Sequence, residues 1–135
     1  MKKYFLIVWT LLLASCIFLS CKKNYPVDED GLLVTTRAEC YVSSFEILGS
    51  DFVTVRFGAA VIDTTAQTIR VTVLFGTDLK NLYPQFSLAS DCKLDPKITG
   101  KTDFSDLANP RVYTVVSGNR QVRKAYTIYI KVQPR

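Results

Sequence analysis

Apolar and polar side chains alternate along much of the chain beyond residue 32. The clearest run places four apolar side chains on one face and two polar ones on the other: Ile69, Val71, Val73 and Phe75 against Arg70 and Thr72. A period of two is typical of a β-strand with one buried face, and β-branched residues favour the pleated backbone. Residues 69–75 are therefore predicted to form a core strand.

Two earlier segments follow the same pattern and are separated by a Gly-Ser-Asp turn signal at 49–51. Residues 41–47 place four side chains on one predicted inner face: Tyr41, Ser43, Phe45 and Ile47. Residues 52–57 place three apolar side chains on one face: Val53, Val55 and Phe57. Both segments are predicted to be strands.

The last segment carries the strongest hairpin signal. Alternating runs at 111–116 and 126–132 flank a turn that contains Gly118 and Asn119, and such turns join antiparallel strands. Counting all the runs predicts about seven strands and no helix of ordinary length. The predicted fold is all-β: an antiparallel Ig-like β-sandwich of about seven strands after an N-terminal signal helix, with a barrel as the alternative.

The first 21 residues have a different pattern. Two lysines at positions 2 and 3 precede an uncharged run of 18 residues, 4–21, and the chain turns polar at Lys22. This order is typical of a secretory signal. A permanent membrane span is the alternative, because 18 apolar residues approach the roughly 20 that are needed to cross a bilayer.

Two segments of this run, Leu13-Ala14-Ser15-Cys16 and Phe18-Leu19-Ser20-Cys21, resemble the box of a bacterial lipoprotein precursor. The resemblance implies that a Cys is acylated with fatty acids such as palmitate and becomes the new N-terminus. The first segment fits the box better, but cleavage there would leave apolar residues next to the lipid. We therefore predict lipidation at Cys21, with Cys16 as the alternative. Lys22 implies, again by resemblance, sorting to the outer membrane, on its periplasmic face or at the cell surface.

These features predict three parts: a signal peptide at 1–20, a lipidated Cys with a flexible tether at 21–31, and the Ig-like domain at 32–135. The acidic residues Asp28, Glu29 and Asp30 in the tether are interpreted as a solvated charge run. The membrane, reached through the N-terminal lipid, is the first predicted partner.

Composition excludes several classes of function. Without the two lysines of the signal, 15 basic and 12 acidic residues leave a net charge of +3, which is too small to predict nucleic-acid binding. The chain has no His, so it lacks the commonest general base and zinc ligand. Aspartates at 91, 95, 103 and 106 are interpreted as turn formers. We expect no catalytic residues, no metal and no cofactor, and therefore no enzyme.

Two cysteines follow the signal, Cys40 and Cys92. Export would place them in an oxidising compartment, where such a pair is a candidate disulfide. A bridge over their separation of 52 residues would contribute about 4 kcal/mol in the chain-entropy model. Two buried thiols that never meet are the alternative.

Glycan binding would require exposed aromatic side chains with polar neighbours. Tyr83, Phe104 and Tyr129 are the weak candidates, and Tyr129 is predicted on the solvent side of its strand. Ordinary packing is the alternative for each, and the chain beyond the signal has no Trp.

Segments at 62–73, 76–84, 102–105 and 113–128 together resemble a family of domains of unknown function in Bacteroidetes surface lipoproteins. That family is related to cadherin-like and other Ig-like sandwiches. The resemblance implies an exported sandwich beside nutrient-uptake or glycan-handling systems, without catalytic residues. The predicted function is a lipid-anchored envelope module that binds a glycan or an envelope protein. The alternative is a structural spacer or assembly subunit without a small-molecule ligand.

Overall fold

The computed structural model describes residues 24–135, so the predicted signal helix and the candidate lipidation sites Cys16 and Cys21 lie outside the described residues. Seven strands follow one another: β1 Val42–Leu48, β2 Val61–Asp63, β3 Thr68–Val73, β4 Tyr83–Leu88, β5 Lys93–Asp95, β6 Arg111–Val116 and β7 Arg123–Val132. Within residues 24–135 there is no helix of the length and apolarity that a membrane span requires.

The strands form two sheets. One is the pair β1–β4, and the other has five strands in the order β2-β3-β7-β6-β5. The all-β sandwich of about seven strands is therefore confirmed, and the predicted hairpin is β6–β7. One pair differs from the antiparallel prediction, because β3 and β7 run parallel, with Ile69 opposite Ile128. Alternation of side chains reports which face is buried and carries no information on strand direction.

The core lies between the inner faces of the two sheets. Ile69, Val71 and Val73 of β3 are buried as their alternation predicts. Aromatic rings also connect the sheets, because Phe86 of β4 lies 5.0 Å from Phe45 and 5.2 Å from Tyr113 of β6. Offset and edge contacts of this kind stabilise beyond the area that they bury.

A bulge in β1 overturns half of its predicted inner face. Phe45 and Ile47 are buried as predicted, but Tyr41 and Ser43 are exposed and Val42 is buried instead. The pairing with β4 shifts register between Val42 and Ser44. One extra residue at a bulge moves every residue before it to the opposite face.

The strand predicted at 52–57 is wrong. Only isolated bridges join this segment to its neighbours, Leu48 to Thr54 and Arg56 to Val73. The segment crosses from the edge of β1 to the end of β3 instead of running along either strand. Val53 and Phe57 are consequently more than half exposed, and Val55 alone of its predicted face packs against the core.

Asp28 and Asp30 of the predicted tether are docked on the domain, so their interpretation as part of a solvated charge run is wrong, while Glu29 stays exposed. Lys93 Nζ lies 2.8 Å from Asp28, 3.2 Å from Glu29 and 2.7 Å from Asp30. The Asp28 side chain is only 5% exposed and also accepts a hydrogen bond from Arg120 Nε at 3.0 Å. We call Asp28, Lys93 and Arg120 the N-terminal clamp. Its cations follow Asp28 by 65 and 92 residues, a distance that no local pattern reveals.

Gly118 allows the N-terminal segment to pack closely. Thr35 N donates to Gly118 O at 2.9 Å, and a Cβ at Gly118 would lie 2.5 Å from Thr35 Oγ1 and 2.9 Å from Asp91 Cβ. We expect Gly118→Ala to lower the free energy of unfolding in urea by about 1–3 kcal/mol, the usual cost of overpacking.

Gly100→Ala is the matched control for this experiment. Neither glycine has a positive φ, and a Cβ at Gly100 meets no atom within 4 Å. Equal unfolding free energies for the two variants would contradict the close packing of the N-terminal segment.

Candidate functional site

The outer face of the β1–β4 sheet carries a distinctive set of exposed and half-buried side chains. Three cross-strand pairs form it: Leu48 with Tyr83, Glu46 with Gln85 and Ser44 with Ser87. We call these six residues the outer face. The inner residues of the same strands, Phe45, Ile47, Pro84 and Phe86, pack into or against the core. The sandwich therefore holds the outer face on a rigid support.

An aromatic pair stands at one end of this face. The rings of Phe52 and Tyr83 are stacked, with centroids 4.6 Å apart and an interplanar angle of 23°. Phe52 is 64% exposed, while Tyr83 is half-buried beneath it. We call the pair the aromatic platform. An apolar ring held open to solvent by a second ring offers a flat surface for a ligand.

A tight turn presents Phe52 to solvent. Gly49 N donates to Val53 O at 2.9 Å and Phe52 N donates to Gly49 O at 3.0 Å. Phe52 has a φ of 60°, which costs a bulky residue about 1–3 kcal/mol and persists only where the surroundings enforce it. Strain of this kind concentrates at binding sites. An exposed aromatic residue on a strained turn therefore indicates a candidate binding site.

A polar row continues from the platform along the outer face. Both carboxylate oxygens of Glu46 are engaged: Oε1 accepts from Thr54 Oγ1 at 2.7 Å, and Oε2 lies 3.0 Å from Arg56. Burial opposes ionisation, but the hydrogen bonds from Thr54 and from the Ile47 amide, together with the Arg56 guanidinium, hold the pKa of Glu46 below its usual range. Gln85, Ser44 and Ser87 are exposed beside this pair.

The three aromatic candidates from the sequence occupy three different environments. Tyr83 belongs to the aromatic platform. Phe104 is 4% exposed in the core, so its role as a surface contact is wrong. Tyr129 is 40% exposed, as predicted, and Arg70 lies 5.0 Å from its ring centroid. Tyr129 belongs to the five-stranded sheet, so the fold does not place it on the outer face with Tyr83.

Phe52 was missed because its neighbours predicted a strand with Val53 facing inward. The only sequence signal was its place directly after the turn at 49–51. A large aromatic residue inside a tight turn has no core to enter, and this reasoning would have singled out Phe52.

A concavity of about 330 Å³ lies near the β4–β5 connection. Leu32, Leu88, Leu94 and Ile98 line it, together with Lys97 and other polar residues, and no aromatic ring contributes. Such a lining offers no flat surface for stacking, so we favour the outer face as the functional site despite its shallow shape.

The four aspartates that were interpreted as turn formers all make structural contacts. Asp91 pairs with Arg37 at 3.3 Å, and Asp95 pairs with Arg123. Hydrogen bonds from Ser105 hold the pKa of Asp103 below its usual value, and those from Asn109 do the same for Asp106. Across residues 24–135 no three His, Cys, Asp or Glu side chains are placed to hold a metal ion.

The thiols of Cys40 and Cys92 are free in this structure. Cys40 is buried and Cys92 is half-buried.

Solved structures that are similar to this chain include three from Bacteroides species. A candidate glycoside hydrolase from Bacteroides thetaiotaomicron is 26% identical, with a TM-score of 0.60 over 73% of this chain and 26% of that one. A DUF4623 family protein from Bacteroides eggerthii is 19% identical, with a TM-score of 0.54 over 72% of this chain and 22% of that one. A candidate secreted protein from Bacteroides fragilis is 10% identical, with a TM-score of 0.50 over 71% of this chain and 97% of that one.

The last two likenesses show the fold alone, and the chain spans about a quarter of the length of the first two proteins. No curated protein matches the chain. Residues 47–130 match the family model described as SGBP, N-terminal, a family of starch- or glycan-binding proteins. This match covers more than half of the chain, including the aromatic platform and four of the six outer-face residues, while Ser44 and Glu46 precede it. The chain belongs to the SGBP, N-terminal family.

Proposed function

We propose that this protein is a glycan-binding module of the bacterial cell envelope and that it binds a neutral oligosaccharide on the outer face. The observation that carries the proposal is the exposed Phe52–Tyr83 platform on a strained turn. Sugar rings have one flat face of C–H groups, which stacks on aromatic rings, and hydroxyl groups, which need hydrogen-bond partners. The platform meets the first need and the polar row meets the second.

The spacing of the outer face suits an extended ligand. Tyr83, Gln85 and Ser87 follow one another on the same side of β4, about 7 Å apart at each step. One sugar ring stacks on Phe52, while the amide of Gln85 and the hydroxyl of Ser87 bond the sugars beyond it. Glu46 and Arg56 already hold each other in place, so little side-chain freedom is lost when they contact a ligand.

Binding without catalysis is part of the proposal. A glycoside hydrolase needs one carboxylic acid with a raised pKa to protonate the leaving group. On the outer face the pKa of Glu46 is lowered, which favours a carboxylate that orients a ligand over one that donates a proton.

The proposed location is the outer membrane, where fatty acids on Cys21 hold the protein. One acyl chain gives only marginal membrane binding and several give stable anchoring. The family match supports a place in the envelope.

Removing the proposed anchor is expected to release the protein. In cells that express Cys21→Ala, the protein should lose palmitate labelling and move from the membrane fraction to the soluble fraction. Cys16→Ala is the matched control and should keep both the label and the membrane location. Labelling that survives Cys21→Ala but is lost in Cys16→Ala would contradict the assignment to Cys21.

A second candidate function is assembly with another envelope protein. Phe57, Leu74 and Phe75 form an exposed apolar patch at the end of β3. The bonds from Phe57 N to Thr72 O and from Leu74 N to Val55 O, at 2.7 and 2.8 Å, hold them together. Patches of this kind mark protein contacts, which favours the spacer or assembly role.

A glycan array and a cross-linking experiment separate the two candidates. The array probes wild-type protein and Phe52→Ala, and cross-linking in cells compares wild type with Phe75→Ser. Glycan signals that disappear with Phe52→Ala support the proposed function. An empty array, together with a protein cross-link that Phe75→Ser removes, would replace it with the assembly role.

A further inference from the structure

Cys40 and Cys92 each lie just before the first residue of a strand, and the two strands belong to different sheets. Cys40 lies two residues before β1 of the small sheet, and Cys92 directly precedes β5 of the large one. Backbone pairing aligns the two segments, since Ala89 N donates to Tyr41 O at 3.0 Å. The Cys92 thiol donates to Glu39 O at 3.1 Å. Because that carbonyl belongs to the peptide unit that joins Glu39 to Cys40, the sulfur of Cys92 lies beside the backbone of Cys40.

The Cys40 thiol lies beside the strand that pairs with β5. It donates to Val115 O at 3.1 Å, and Val115 pairs with Leu94, two residues after Cys92. Burial raises the pKa of both thiols. Few thiolates therefore form near neutral pH, and thiols in this state react slowly without a catalyst.

We propose that Cys40 and Cys92 form a disulfide that staples the two sheets together. The bonds from Ala89 N to Tyr41 O and from Cys92 to Glu39 O hold the two cysteine segments side by side. On oxidation, each sulfur would exchange one weak S–H hydrogen bond for a covalent bond. In the cell this inference rests on the proposed envelope location, because an oxidising compartment is needed to maintain the bond.

The oxidant is the disulfide of an envelope thiol oxidoreductase. The half-exposed Cys92 loses its proton and attacks one sulfur of that disulfide, which forms a mixed disulfide and releases the first thiolate of the oxidoreductase. Cys40 then loses its proton and attacks the Cys92 sulfur. The Cys40–Cys92 bond forms and the second thiolate leaves. Two electrons pass to the oxidoreductase, which is reduced to its dithiol as it takes up the two protons.

The order of attack follows from exposure. Cys92 is half-buried and reachable from solvent, whereas Cys40 is buried, so the oxidoreductase reaches Cys92 first. The bond closes a loop between residues separated by 52 positions. It also fixes the point at which the N-terminal segment enters the sandwich.

Peptide mapping tests the bond directly and in vitro, without relying on cellular location. The purified full chain is incubated with a bacterial thiol oxidoreductase of the CxxC type, blocked with N-ethylmaleimide and digested with trypsin without reduction. The expected product is peptide 38–56 joined to peptide 81–93, each with one cysteine. Reduction should lower the melting temperature of the oxidised wild type by about 15 °C and leave that of the Cys40→Ser/Cys92→Ser protein unchanged.

Single variants test the order of attack. Cys40→Ser should accumulate a mixed disulfide with the oxidoreductase through Cys92, and Cys92→Ser should not. Alkylation of both Cys40 and Cys92 after oxidation, or disulfides of these two residues only between molecules, would overturn the proposal. If the bond forms in vitro while the protein isolated from cells is reduced, the staple stands and the proposed envelope location fails.

Discussion

Phe52→Ala is expected to weaken oligosaccharide binding about 30-fold. Truncating a central aromatic contact typically costs about 2 kcal/mol of binding free energy, and each 1.4 kcal/mol is a factor of about ten. Phe52 is the most exposed ring of the aromatic platform, so it offers the largest stacking surface to a sugar. Tyr83→Ala should cause a similar loss, because it removes the ring that supports Phe52. Isothermal titration calorimetry with the tightest ligand from the array measures both effects.

Two matched variants separate binding from stability. Phe75 is 57% exposed, which is similar to Phe52, but it lies at the end of β3 and not on the outer face. Phe75→Ala should therefore leave the oligosaccharide affinity unchanged. Phe52→Gly removes the strain of a positive φ, and its free energy of unfolding should equal or exceed that of Phe52→Ala. Equal affinity of wild type and Phe52→Gly would contradict a binding role for the platform.

Asp28→Asn is expected to release the N-terminal segment from the domain. The hydrogen bond from Lys93 and the backbone amides of Leu32 and Asp30 hold the pKa of the Asp28 carboxyl far below its usual 3.8. Asp28 in turn is the first cause of the raised pKa of Lys93. Removing this carboxylate leaves Lys93 and Arg120 without their shared partner. Trypsin should then cleave the native protein after Arg37 several-fold faster than it cleaves wild type.

The clamp has a defined pH dependence. A carboxyl whose pKa is lower in the folded state stabilises the fold above its unfolded value, and the stabilisation is lost as pH falls toward the folded pKa. The contribution of Asp28 is therefore complete above about pH 4 and declines below it. Lys93 also stabilises the fold, but with the opposite pH dependence, because its pKa is raised. Its contribution is complete below pH 10.5 and is lost only at higher pH. The hydrogen-exchange protection factors of residues 24–37, which correct for the slower intrinsic exchange at low pH, should fall below pH 4 in wild type.

Asp95→Asn is the control for both measurements. Asp95 pairs with Arg123, and both side chains are about half exposed, so this ion pair should contribute little. If both variants are cleaved by trypsin, and exchange their amide hydrogens, at the same rates as wild type, the N-terminal clamp does not hold the segment.

Sequence patterns identified the fold because its core strands obey one local rule. Alternation in β3 and β7 reflects a single buried face, and Ile69, Val71 and Ile128 are buried accordingly. The same rule failed where the backbone departs from a regular strand. The bulge at Ser43 moved the residues at the start of β1 to the opposite face of the sheet. Segment 52–57 crosses between strands, which leaves Val53 and Phe57 exposed.

The candidate site was only partly predictable, because it depends on contacts between distant residues. Tyr83 was selected as an aromatic residue near polar neighbours, but its partner Phe52 is set by a positive φ that composition does not reveal. Phe104 has the same local signal as Tyr83 and is buried instead. Asp28 and Lys93 likewise meet only in the folded chain.

Nuclear magnetic resonance titration of the wild-type protein with a neutral oligosaccharide from the array tests the proposed function most directly. The account predicts that chemical-shift changes concentrate at the aromatic platform, Phe52 and Tyr83, and at Gln85 and Ser87 of the outer face. The amides around Tyr129 and those around Leu94 serve as internal references for the five-stranded sheet and the aliphatic concavity. Saturable changes confined to either reference region, with none at Phe52 and Tyr83, would contradict the account.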